Sequence, residues 1–169
     1  MEPNFPPQAP ARPTFLTVLC ILTFIASAYG IITGISGYRN ANISAEMAKP
    51  MLDSAQQEIR KESSDNKAAA KMADKVISGA SELLDPEKIK KNSLFSILAN
   101  ILTLVGAYVM FQLKKYGFWI YLAGTAFGIL TPILVYGASN WMSLGMSALA
   151  GFFGIIFAIL YSLNLKHMK

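Results

Sequence analysis

The chain has 169 residues, 53% of them hydrophobic, a formal net charge of +5, one cysteine and one histidine. A single thiol excludes an intramolecular disulfide and a Cys-based metal site, and the sole histidine, His167, sits in the terminal tail and so leaves no Ser-His-Asp triad, His-based zinc site or haem ligation in the membrane. The apolar residues are gathered into four charge-free runs, at 14–36, 93–113, 118–136 and 141–163, each close to the ~20 residues that carry a helix across a ~30 Å hydrocarbon core. The expected fold is an all-α membrane protein, a four-transmembrane-helix bundle with a helical hairpin inserted between the first and second spans.

Residues 1–13 carry Pro3, Pro6, Pro7, Pro10 and Pro13, a composition that favours extended polyproline II and predicts a disordered spacer. Within it, Pro7 to Arg12 fits a PxxPxR ligand for an SH3-type groove, a match that any proline-rich tail makes cheaply. The first span follows at 14–36. It holds Cys20 and ends past Ala26-Ser27-Ala28, an A-x-A-like cleavage pattern, but the apolar run continues through Ile31, Ile32 and Ile35, so an uncleaved helix is expected.

Residues 37–92 form the one soluble excursion. Ile43, Met47, Met51, Ala55 and Ile59 recur every four residues and predict a first helix, with Pro50 kinking it or marking a fresh start. The Ser63-Ser64-Asp65-Asn66 cluster reads as a turn, and Ala69, Met72, Val76, Ile77, Ala80, Leu83 and Leu84 make the apolar stripe of a second helix. On its polar face Lys67, Lys71 and Lys75 stand at four-residue intervals. They form either an ordinary solvated face or a surface for phosphates or an acidic partner. Asp85-Pro86-Glu87 has the form of a helix start, so the second span should begin several residues before the bilayer and carry Lys88, Lys90 and Lys91 on a rigid extension.

The spans at 93–113, 118–136 and 141–163 complete the bundle, and residues 164–169 form a basic tail. Small residues recur at four-residue spacing in three spans: Ala26, Gly30 and Gly34; Gly124 and Gly128; Ala150, Gly154 and Ala158. Lipid tails provide no hydrophobic drive between helices, so these are expected to be packing faces, within the bundle or in an oligomer. Asn100 is the amide well inside a span and is expected to seek a hydrogen bond to another helix. Pro132 should bend the third span near Gly128, with Thr131 or a neighbouring helix serving the freed carbonyls.

Arg12, Lys114, Lys115, Lys166 and Lys169 share one side of a four-span chain against one acid, Glu2, whereas the bases of the excursion are nearly matched by its acids. The positive-inside rule then puts both termini in the cytoplasm, although Arg39, Lys88, Lys90 and Lys91 pull the other way. A multi-pass protein of a bacterial inner membrane is the expectation, with the lipid bilayer and a protein partner or second copy as its partners. The excursion has Tyr38 as its one aromatic, which argues against nucleic acid. The spans lack the ionisable residues of proton relays and coupled transport, and no cofactor or enzymatic activity is expected. In layout the chain resembles claudin-type four-span proteins, but it lacks their paired extracellular cysteines and Trp-rich loop and is set apart from them. Two readings follow: an accessory or scaffold subunit whose hairpin contacts a partner, and an oligomeric passive channel or facilitator built around Ser96, Asn100, Thr103 and Thr125.

Overall fold

The computed structural model describes residues 13–62 and 67–169. It is all-helical, with no strand among the described residues: α1 (Thr14–Glu62), α2 (Lys67–Leu83), α3 (Pro86–Phe111), α4 (Tyr116–Tyr136) and α5 (Trp141–Ser162), then a 3₁₀ turn, Leu165–His167. Four helical segments, those of α1, α3, α4 and α5, are long and apolar enough to cross a membrane. The Pro-rich segment with its PxxPxR match, apart from Pro13, and the turn at 63–66 lie outside the described residues.

α1 differs from the expected span plus separate arm. It is one helix of 49 residues, continuous through Pro50, and at 1.5 Å per residue it is ~70 Å long, more than twice the hydrocarbon thickness. The excursion's first helix is therefore a rigid continuation of the first span. α3 starts as its sequence implies: the Asp85 side chain accepts from the Glu87 backbone N–H at 2.9 Å, and Pro86, which has no N–H to satisfy, takes the first helical position.

α3 is the centre of the bundle, packing along α1 on one side and α4 on the other, while α5 rests mainly on α4 and touches α1 little. Both α3 contacts are antiparallel and run through small residues. Gly30 faces Asn100, Gly34 faces Ile97 and Gly37 faces Ser93 along α1–α3. Gly106 faces Tyr121, Gly124 faces Leu102 and Thr103, and Gly128 faces Ala99 along α3–α4. Close backbone approach of this kind replaces the hydrophobic drive missing in lipid.

The small-residue stripes divide into two groups. Gly30, Gly34, Gly124, Gly128 and Gly154 sit in helix contacts, with Gly154 against Thr125, and Ala158 packs on the core around Tyr161. Ala26 and Ala150 are exposed and border a groove instead. Gly106, Gly117 and Gly151 are packing residues that the four-residue spacing did not single out.

One end of the bundle is sealed by residues 164–169, which dock rather than trail. The Lys169 N–H donates to Leu113 O at 2.7 Å and the Lys115 N–H to Lys169 O at 2.8 Å. Met168 is buried with Leu16, Leu19, Cys20, Met110, Tyr121 and Tyr161. These bonds brace Leu113, which adopts a left-handed backbone (φ 62°) that L side chains disfavour.

Candidate functional site

Two features carry chemistry that packing alone does not use: a polar groove inside the bundle and the surface of the helices beyond it. The groove lies between α1 and α5, which make little contact, and its floor is α3 and α4. Ser96, Asn100 and Thr103 of α3 and Thr125 of α4 line one cavity of about 270 Å³, with Ala150 of α5 at its border. Thr23, Ser27, Asn100, Thr103 and Tyr121 line a second, of about 200 Å³, so Asn100 and Thr103 border both. Helical periodicity explains the α3 side of the convergence, since positions 96, 100 and 103 are one α3 face, and Thr125 directly follows Gly124, whose contact brings α4 against it.

Asn100 behaves differently from expectation. Its amide donates to Ser96 O of its own helix at 2.8 Å, and its side chain lies against Gly30 without a side-chain bond across helices. The inter-helix polar bonds come from hydroxyls: Ser27 with Thr103 at 3.0 Å, and Thr23 with the Tyr161 hydroxyl at 2.8 Å. Cys20 Sγ also points at Ala107 O, 3.5 Å away. Hydroxyls on a continuous apolar run leave no mark in hydropathy, which hid them. Thr131 likewise bonds Phe127 O, at 2.8 Å, while α4 continues through Pro132 to Tyr136. The buried Ser147 Oγ has no hydrogen-bond partner among the described residues.

Beyond the membrane-length part of α1, the expected apolar stripe splits. Ile43, Met47 and Met51 are exposed at 58%, 73% and 76%, whereas Ala41 and Ala45 are covered and Ala55 and Ile59 are half-buried. A strict four-residue spacing advances ~40° around a 3.6-residue helix at each step, so the five positions drift about half a turn and cannot share one face. On α2, Ala73 and Ile77 face inward while Met72 stands exposed. Lys71 is exposed, Lys75 borders a cavity, and the side chain of Lys67 lies outside the described part. The two elements are in contact, and near the far end of α1 Arg60 reaches Asp74 at 4.0 Å, an exposed pair worth little.

α2 is fastened to the bundle at its other end. Asn140 caps α5 by accepting from the Met142 N–H at 3.0 Å, and its amide donates to Gly79 O at 3.2 Å and Glu82 Oε2 at 3.1 Å. Lys88 Nζ approaches the same carboxylate oxygen at 3.3 Å. The Asn140 amide first, and Lys88 second, hold the Glu82 carboxyl below its ordinary value. Asn140 directly before an apolar helix is an N-cap signal in the sequence; its second task, gripping α2, involves partners about sixty positions away and has no local signature.

Among the described residues no group of three His, Cys, Asp or Glu is placed to hold a metal ion. No model of a known protein family matches the sequence, and neither a curated protein nor a solved structure matches the chain.

Proposed function

We propose that the protein is a non-enzymatic accessory or scaffold subunit of a bacterial inner membrane, with both termini cytoplasmic, whose α1 extension and α2 form a helical hairpin that contacts a protein partner on the opposite side. The observation that carries this reading is the exposed Ile43, Met47 and Met51 row on α1, opposite the buried Ala41 and Ala45, with Met72 also exposed on α2. Methionine side chains are flexible and polarizable and suit a surface that adapts to an apolar partner helix. Because α1 is a single helix from Thr14 to Glu62, a partner seated there is coupled rigidly to the bundle.

The test is crosslinking with mass spectrometry on native membranes through the excursion's lysines. With Ile43, Met47 and Met51 all changed to serine, the protein should insert as before while heterologous crosslinks fall by about tenfold, the loss expected for an interface that has lost its apolar anchors. Unchanged crosslinks, or unchanged recovery after deletion of residues 41–84, would overturn the hairpin as the recognition element.

A second reading, an oligomeric facilitator for a small neutral solute, draws support from the convergence of Ser96, Asn100, Thr103 and Thr125 on one cavity. The absence of ionisable side chains along that cavity suits an uncharged solute rather than an ion. Purified protein in liposomes should then accelerate glycerol or urea flux, and Ala150→Phe, at an exposed position bordering the cavity, should abolish the acceleration. Flux equal to protein-free liposomes removes this reading.

A further inference from the structure

A cavity of about 300 Å³ opens beside the place where α2 grips the α4–α5 turn, bordered by Lys75, Ser78 and Glu82 of α2 and by Ser139, Asn140 and Trp141. Its depth in the membrane follows from the elements around it. Asn140 caps α5 and Trp141 is its first residue, so the cavity lies where two spans leave the apolar layer. Trp141 is 56% exposed, and an indole at the end of a span sits at headgroup level.

The lining carries both signs of charge on one helix face, since positions 75, 78 and 82 are spaced three and four residues apart. Lys75 takes part in no ion pair among the described residues. Asn140 and Lys88 both meet Glu82 at Oε2, which leaves Oε1 turned to neither of them. Two serine hydroxyls, of Ser78 and Ser139, complete the rim. Ser78 Oγ donates back to Lys75 O at 3.1 Å and still offers its lone pairs.

We propose that this cavity seats the headgroup of a membrane phospholipid bearing a primary ammonium, the phosphatidylethanolamine class. Lys75 and the Ser139 hydroxyl meet the phosphate, and the Glu82 carboxylate accepts from the ammonium through Oε1. Choline lipids carry the same phosphate but a quaternary nitrogen with no N–H to donate, and glycerol lipids leave the carboxylate facing a net negative charge. A bound lipid would bridge α2 to the α4–α5 turn and strengthen the docking that Asn140 begins.

The experiment is native mass spectrometry of the full-length protein released from detergent, with dioleoyl-phosphatidylethanolamine, -choline and -glycerol added in turn. The ethanolamine lipid should occupy the protein about tenfold more than either competitor, the value of one charge-assisted hydrogen bond. Glu82→Gln should remove that preference, and Lys75→Gln should lower occupancy by all three lipids, whereas Lys71→Gln, one turn away and exposed, should do neither. Lys75→Arg, which retains the cation, should keep the occupancy. Equal occupancy by the three lipids, a preference that survives Glu82→Gln, or occupancy unchanged by Lys75→Gln would each overturn the proposal. Because the lysine variants leave the Asn140 contacts in place, loss of occupancy in Lys75→Gln alone is not a folding defect.

Discussion

Gly106→Ala is expected to be the most destabilising single methyl addition in the bundle. A Cβ at Gly106 would overlap the backbone nitrogen and Cα of Tyr121, and Gly117 lies equally close to the Met110 nitrogen, so α3 and α4 are here in main-chain contact. A side chain can rotate out of the way; a packed helix backbone must move as a whole. Overpacking of this kind costs ~1–3 kcal/mol, and the rigid obstacle puts Gly106 at the upper end even after alanine's helix preference of about 1 kcal/mol is credited. Gly124→Ala, which meets the Thr103 backbone nitrogen at 2.8 Å, should follow. Gly30→Ala meets only the movable Asn100 side chain and should cost less. Gly145→Ala, with no atom within 4 Å, should be neutral or stabilising. Unfolding by SDS titration in mixed micelles checks the order, and equal stability of the Gly106 and Gly145 variants would refute the close α3–α4 contact.

Asn140→Ala should release α2 from the bundle and fray the start of α5 together. It removes an N-cap, typically ~1 kcal/mol, and leaves Gly79 O and Glu82 without their amide donor, adding roughly another 1 kcal/mol. Asn140→Asp separates the two tasks. It keeps an acceptor for the Met142 N–H but places a second carboxylate beside Glu82 where the donor was, so α5 should start normally while α2 detaches. Hydrogen exchange of the Lys75–Leu83 amides against those of Trp141–Gly145 reports the two events independently; parallel loss of protection in the aspartate variant would sink the distinction.

The same contact carries a pH dependence of definite sign. The Glu82 carboxyl is held below its ordinary value of 4.5, chiefly by Asn140 and then by Lys88. Its unfolded form binds a proton more readily, so its contribution is complete above the ordinary value and is lost as pH falls through the depressed one. Protection of α2 should therefore persist at neutral pH and decline on acidification below 4.5, and Glu82→Gln should flatten that decline.

Much of the architecture was legible in the linear order of residues. Four charge-free runs of membrane length can only satisfy their backbone in lipid as helices, which made the all-α character and the four segments readable from hydropathy alone. Asp85-Pro86 marked the start of α3 because capping chemistry is local, and Gly30, Gly34, Gly124 and Gly128 marked packing faces because small residues are the means of close approach in lipid.

Other features depended on how the helices came together. That α1 runs on from the membrane to Glu62 depended on residues 37–42 being helical and on Pro50, which the completed helix accommodates. A four-residue count drifts around a 3.6-residue helix, so the single apolar stripe expected on α1 splits, with Ala55 and Ile59 half-buried while Met47 and Met51 are exposed. Ser96, Asn100, Thr103 and Thr125 share a cavity, and Asn140 grips Gly79 and Glu82, through contacts between distant parts of the chain. Hydropathy and capping are properties of a short stretch and are written in sequence; shared cavities and clasps are properties of helix placement, and only the tertiary structure decides them.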